Sequence, residues 1–493
     1  MDELLQARAE LALLDEQARR LLKELFHVRA AMTTQRAKVD ELIRTRPTAF
    51  NLFPTGILLS IFGLCLRADD DPNWKFQLAG VCRRWKDIIW DSPSFWTTIH
   101  VASSASSIMT HLERSRGALL DIVIETSQWS RSHHRALVPS LKIIGSLAHR
   151  WHSLSIAHAY CDDEDDEINN TALADFIIKK INHLRFPSLK SVALSYCKTS
   201  LAFLCPARVP ALEHLELVEF VAKRSDFPPV TALKTLNLDF YGCPVDYPLF
   251  PHLIPTQALT KLSLSGLPGA FSPQPNSIYF PALKMLDVCC LAKAGRLMGA
   301  IVAPNLERFE YNSFDSDDPP SVALHGLRSK FTNVRHLTFY RFTDTNTPEL
   351  LYADAITLCE AFPDVRHVEL RTHHLPHLFD PTLSNARARR PIDLWTELES
   401  LSLCGLHPKW LESDQFSAWL VDRQASGLRK LHVKLVRSYE SNDPVVGFKF
   451  PRLYKVLKEN CILELDNFRL PSPEMYLSMP LNSRLRLVST SFP

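Results

Sequence analysis

One phrase, Leu-x-x-Leu-x-Leu, returns along most of the chain, and it limits the possible folds more than any other feature. It reads Leu189/Val192/Leu194, Leu212/Leu215/Leu217, Leu233/Leu236/Leu238, Leu259/Leu262/Leu264 and Leu283/Leu286/Val288, then Leu306/Phe309/Tyr311, Val334/Leu337/Phe339, Val365/Val368/Leu370, Leu398/Leu401/Leu403 and Leu428/Leu431/Val433. The first anchors are 23, 21, 26, 24, 23, 28, 31, 33 and 30 residues apart, and several units open with proline: Pro187, Pro210, Pro281, Pro304 and Pro363. Alternating leucines suit a short strand with one buried side, and a period of this length leaves room for a helix or irregular segment before the next strand. Strands of an antiparallel sandwich recur every ~8–12 residues, so that alternative does not fit the spacing. Trp151/Leu154/Ile156 reads as an earlier unit, and Leu120/Ile122/Ile124 as an edge strand before it.

The pattern resembles leucine-rich repeats, which implies an α/β repeat solenoid. That family places Asn or Cys at the next position, where the side chain bonds the turn backbone. Here Cys197 alone conforms; the others are Phe220, Tyr241, Leu267, Leu291, Phe314, Phe342, His373, Leu406 and Val436. An apolar stack in place of a hydrogen-bonded ladder predicts an irregular solenoid over residues 100–470, with 471–493 as a C-terminal cap or tail.

Residues 1–46 contain neither proline nor glycine, which predicts one long helix. Its heptad positions read Leu4, Leu11, Ala18, Leu25, Met32, Val39 and Ala7, Leu14, Leu21, Val28, Gln35, Leu42, a coiled-coil-like seam. A homodimer through residues 1–46, packing on the chain's own body and pairing with a different protein all remain open.

Residues 51–99 form a dense, tryptophan-rich helical block. Behind Pro54, a residue suited to a helix start, come Ile57, Leu58, Ile61, Phe62 and Cys65 at helical spacing. A second stripe, read as one helix, runs through Leu78, Val81, Cys82, Trp85, Ile88 and Ile89. So much apolar surface on fifty residues calls for a cover.

Phe53-Pro54-x-x-Ile57-Leu58-x-x-Ile61-Phe62, then Val81-Cys82-Arg83-x-Trp85 and Phe95-Trp96, resembles the F-box motif in order and spacing, within chains of fungal type that join it to degenerate leucine-rich repeats. Phe53 replaces the usual leucine and Gly56 the usual glutamate. The resemblance implies a small all-α domain that docks on the Skp adaptor of SCF ubiquitin ligases through Pro54, Ile57, Leu58, Ile61, Phe62, Val81, Cys82 and Trp85. It also implies a cullin scaffold as partner and a protein substrate held by the repeats.

Period-two alternation aims the residues between the leucines at the open face of the repeats. Earlier units offer Glu216, Asp239, Asp287 and Glu310, and later ones His336, Tyr340, His367, Arg371, Lys430, His432 and Lys434. The expected face grades from acidic to basic, with Tyr340, Arg371, Lys430, His432 and Lys434 as the substrate-binding set.

Composition excludes other classes. Lys+Arg 56 against Asp+Glu 54 leaves no global field for nucleic acid or anionic lipid. Only 14 glycines, none spaced Gly-x-Gly, argue against phosphate-cradling loops. Eleven cysteines without a Cys-x-x-Cys pair, an acidic start and short apolar runs predict a reduced, soluble chain, cytoplasmic and/or nuclear, with no membrane partner. The run from Asp162 to Glu167 lacks the spacing of a calcium loop and reads as a solvated insertion. His373, His374 and His377 are split by Pro376, which argues against a metal site. Arg387, Arg389 and Arg390 read as a surface loop, with nuclear import as the alternative. Cys82 reads as a small buried hydrophobe on a helix. With no cofactor, metal or catalytic motif indicated, the expectation is a non-enzymatic receptor. The alternatives are an F-box and repeat scaffold working outside a ligase, or a hydrolase with an unrecognised triad.

Overall fold

The computed structural model describes residues 2–45, 53–68, 74–101, 104–125, 134–157, 164–197, 201–220, 232–240, 254–266, 273–289, 291, 293–314, 318–342, 352–371, 376–379, 390–404, 414–436 and 451–466. The chain divides into two compact units, Met1–Phe95 and Trp96–Pro493.

The first unit is all helix. α1 spans Asp2–Thr45, as a segment rich in Ala, Leu, Glu and Arg without a breaker should. Every α1 side chain described, from Gln6 to Glu41, is exposed, so among the described residues nothing covers this stretch of the heptad stripe. α2 (Thr55–Ala68), α3 (Trp74–Val81) and α4 (Arg83–Asp91) follow. The Pro54 carbonyl accepts the N–H groups of Ile57 and Leu58 at 3.0 and 3.2 Å and so opens α2.

The second stripe differs from its sequence reading as one helix. Cys82 adopts an extended conformation (φ −159°, ψ 166°) and separates α3 from α4. Its carbonyl accepts the Lys86 N–H at 3.0 Å, so Cys82 caps α4 instead of lying on the core stripe of a helix.

In the second unit, fourteen strands among the described residues form one sheet. They are β1 (Thr98–His100), β2 (Leu120–Glu125), β3 (Trp151–Ala157), β4 (Ser191–Ser195), β5 (His214–Val218), β6 (Thr235–Asp239) and β7 (Lys261–Ser265), then β9 (Met285–Cys289), β11 (Arg308–Phe314), β12 (His336–Phe342), β13 (His367–Arg371), β14 (Ser400–Cys404), β15 (Leu431–Val436) and β16 (Cys461–Asp466). All neighbours are parallel and the strand order is the chain order. β8 (Ile278–Tyr279) and β10 (Ile301–Val302) make a separate parallel pair.

Register brings the leucine phrases into line. Leu215 lies opposite Leu236, Leu236 opposite Leu262, and Leu262 opposite Leu286, with Leu217, Leu238, Leu264 and Val288 forming the second column. Both columns are buried in one continuous core, each leucine contributing about 1.5–3 kcal/mol relative to exposure. Successive units are also joined at the strand entrances by a shared acceptor: Glu213 and His214 both donate to the Lys190 carbonyl, and Arg366 and His367 both to that of Arg335. At the strand exits Tyr196 (φ 58°), Glu219 (φ 48°) and Gly266 (φ 66°) take left-handed conformations directly after β4, β5 and β7.

The apolar turn positions behave partly as expected. Cys197, Phe220 and Leu291 are buried, and Phe220 packs on Phe240, one residue before the expected Tyr241, with ring centroids 5.2 Å apart. Tyr241, Leu267, His373 and Leu406 lie outside the described residues. Four further differences concern boundaries. The sheet begins at Thr98, inside the segment assigned to the helical block. From Glu164 onward the acidic run, read as a solvated insertion, opens the helix Glu164–Ile181, a favourable place for acids at a helix N-terminus. Leu428, expected as a buried anchor, is 42% exposed, whereas the nine earlier first anchors are buried. β16 adds an unforeseen strand carrying Glu464.

Candidate protein-interaction surfaces

The helical unit keeps one set of motif residues inside and presents another outside. Leu58 and Phe62 are each 1% exposed. The Phe62 ring meets Trp85 edge to face at 4.7 Å and Phe95 at 6.5 Å, which ties α2 to α4 and to the segment after it. The Arg84 guanidinium donates to the Phe53 carbonyl at 2.6 Å and fixes the approach to α2 against α4. Lys75 is buried and its ammonium donates to the Phe95 carbonyl at 3.4 Å. Burial lowers the Lys75 pKa to about 8.

On the outer side, Ile57 (47% exposed), Ile61 (37%) and Leu64 (65%) recur at helical spacing along α2, and Val81 (61%) ends α3 uncovered. Pro54 is exposed as well; Cys82 and Trp85 are partly buried. The eight residues assigned to adaptor docking therefore divide. Leu58 and Phe62 hold the bundle from inside, while Pro54, Ile57, Ile61 and Val81 are available to a partner. Leu64 and Phe76 are also exposed, and the sequence motif does not mark them because they lie between its defining positions. The closing Trp96 belongs to the second unit, where it packs on His111 at 5.1 Å with the Arg114 guanidinium 5.0 Å from its ring centre.

The polar face of the sheet is organised by register. Residues just before the first leucine column form one row, which includes His214, Lys261, Arg308, His336, His367 and His432. Residues just after it form a second row, which includes Glu216, Asp287, Glu310, Glu369 and Glu464, with Lys434 as its exception. Burial pushes the Asp287 carboxyl up, opposed by the Ser263 hydroxyl, which donates to it at 2.6 Å. Lys261 and Arg308 lie in the half expected to be acidic, and Glu369 and Glu464 in the half expected to be basic. The charges thus run in stripes across the strands instead of grading along the chain.

The five residues assigned to substrate binding lie on or beside three strands, β12, β13 and β15. Tyr340 is in register with Arg371 across β12 and β13. His432 and Lys434, on β15, both reach Glu464, at 3.3 and 2.9 Å. Lys430 precedes β15 and donates to the Glu459 carbonyl at 3.1 Å.

Cys197 and Cys461 are pushed up to about 12 and about 11 by burial, and Cys359 is raised well above the ordinary thiol range, so these thiols stay protonated at neutral pH. Among the described residues no group of three His, Cys, Asp or Glu side chains is placed to hold a metal ion, and no helix is long and apolar enough to cross a membrane. Of the histidine and arginine clusters, His377 and Arg390 alone are described; the Arg390 guanidinium pairs with Asp422 at 2.8 Å.

Residues 50–102 match the F-box-like family model, a segment that spans α2, α3, α4 and β1. The chain matches no curated protein and no solved structure. It therefore carries an F-box-like domain joined to a long parallel sheet.

Proposed function

We propose that this chain is the substrate-recognition subunit of an SCF-type ubiquitin ligase, with the F-box-like domain on a Skp adaptor and a protein substrate on the sheet. The observation that carries the reading is the coincidence of the family match with the uncovered stripe Ile57, Ile61, Leu64 and Val81. F-box domains bind Skp1-type adaptors. Exposed apolar anchors on a small helical unit are what such a contact needs.

The in-line leucine columns and chain-order parallel strands support reading the second unit as an irregular leucine-rich solenoid. In this reading the protein performs no chemistry. It raises the local concentration of its bound substrate near the conjugating enzyme. The exposed α1 seam then pairs with α1 of a second copy, giving a dimeric receptor; in a parallel pair Glu24 would face Arg29 of the other helix.

The test is co-expression with a Skp-type adaptor and a cullin. Wild-type chain should recover both. Ile57→Glu with Val81→Glu should recover neither while the sheet stays folded. Recovery of the adaptor without the cullin would favour a scaffold acting outside a ligase.

A further inference from the structure

Histidines on the strands of the sheet mostly have a carboxylate at hand. His100 lies 3.6 Å from Glu125, His152 3.2 Å from Asp121, His214 4.0 Å from Glu213, and His432 3.3 Å from Glu464. His336 and His367 depart from this rule. They are in register on β12 and β13 and stack on each other, ring centroids 4.5 Å apart and planes 20° from parallel. Among the described residues neither has a carboxylate oxygen within ion-pair distance. Arg308, in register with His336 on β11 and exposed, has none either.

Two stacked imidazoles beside a guanidinium repel one another as they charge. Burial, His367 and Arg308 all hold the His336 pKa below its ordinary value, with Glu307 opposing. The surrounding charges relieve this only in part. Glu307 is engaged by Lys284 at 3.1 Å, and Arg335 and Arg366 by Asp364 and Glu399 at 3.8 and 3.5 Å. Glu310 and Glu369 stand on the neighbouring row, two residues along their strands.

We propose that Arg308, His336 and His367 form a proton-linked seat for a carboxylate side chain of the bound partner protein. The chain itself supplies the precedent farther along the sheet, where Glu464 on β16 bridges His432 and Lys434 on β15. The seat spans three strands about 4.8 Å apart, room for a short extended acidic segment laid across them. An arriving carboxylate favours the charged imidazoles, so binding takes up protons and tightens as pH falls. This rests on reading the sheet face as the partner surface.

The test uses the full chain and a fluorescein-labelled Glu-Ser repeat peptide, with Gln-Ser and phosphoserine-Ala repeats as comparisons. Anisotropy titrations are run at about pH 5.5 and about pH 7.5, either side of the ordinary imidazole value and above that of glutamate. The Glu-Ser peptide should bind about fivefold to tenfold tighter at the lower pH, the scale of a one-unit pKa change. His336→Gln with His367→Gln should remove the pH dependence, and Arg308→Gln should weaken binding at both values. Binding that is unchanged in the double variant, a Gln-Ser peptide that binds equally, or binding of the phosphoserine peptide alone would overturn the proposal. Adaptor recovery from the same preparations reports on the ligase reading separately: its loss with pH-linked peptide binding retained would sink that reading and leave the seat standing.

Discussion

Phe62 and Trp85 meet edge to face, 4.7 Å between centroids, so a residue of α2 and one of α4 that the motif assigns to partner contact hold the helical unit together. Phe62→Ala should therefore cost about 3–5 kcal/mol of local stability, from lost transfer energy and the cavity left behind. Ile61→Ala, at a position 37% exposed, should cost about 1 kcal/mol or less. Hydrogen exchange in the full chain separates them: α2 and α4 amides should lose protection in the first variant and keep it in the second.

Lys75 provides a pH dependence with a defined sign. Its folded pKa, lowered to about 8, lies below the unfolded value, so between these two values the unfolded chain binds more protons and stability rises with pH. Below about pH 8 the buried ammonium opposes folding by up to about 3 kcal/mol. Lys75→Met should stabilise the helical unit at neutral pH and abolish the rise in alkali. Denaturant melts followed through the α2–α4 amides would measure both effects, and equal pH profiles for the two proteins would refute the assignment.

α1 offers Leu11, Leu14, Leu21, Leu25, Val28 and Met32 to solvent along one seam. Light scattering should find the full chain dimeric at micromolar concentration. Leu11→Glu with Leu25→Glu places unpaired charge in the seam and should give a monomer. A monomeric wild-type chain would remove the pairing.

Gly295 sits where backbone approaches closely: an added Cβ would lie 3.1 Å from the Val322 carbonyl oxygen and 3.2 Å from the Ala323 Cα. Gly295→Val should destabilise the second unit by about 1–3 kcal/mol through overpacking. Gly299, in the same helix (Ala294–Ala300), has open space around its Cβ position, and Gly299→Ala should be neutral or stabilising by up to about 1 kcal/mol. Thermal melts of the two variants give the comparison.

The leucine columns were legible in the sequence because two constraints coincide there: strand alternation fixes which side chains face inward, and a roughly constant period fixes which leucines align. The break at Cys82 was not legible, since Val81, Cys82 and Arg83 include no proline or glycine and the apolar spacing continues across them. The charge stripes were hidden for another reason. A residue's neighbours on a parallel sheet come from other units, so Glu310 beside Thr338 and Glu369 becomes visible only once register is known. Glu464 likewise lay in a strand whose opening anchor is cysteine, and with it went the contacts that His432 and Lys434 make.

Adaptor docking through the outer face of α2 and α3 is open to direct measurement. Calorimetric titration of a purified Skp-type adaptor into the full chain measures it directly. Wild type should bind with at least micromolar affinity, and Ile57→Glu with Val81→Glu, both substitutions at exposed positions, should weaken binding about thirtyfold or more, the loss of about 2 kcal/mol or more expected at interface anchors. Equal affinity for the two proteins, with α2–α4 equally protected from exchange, would contradict the proposed docking face.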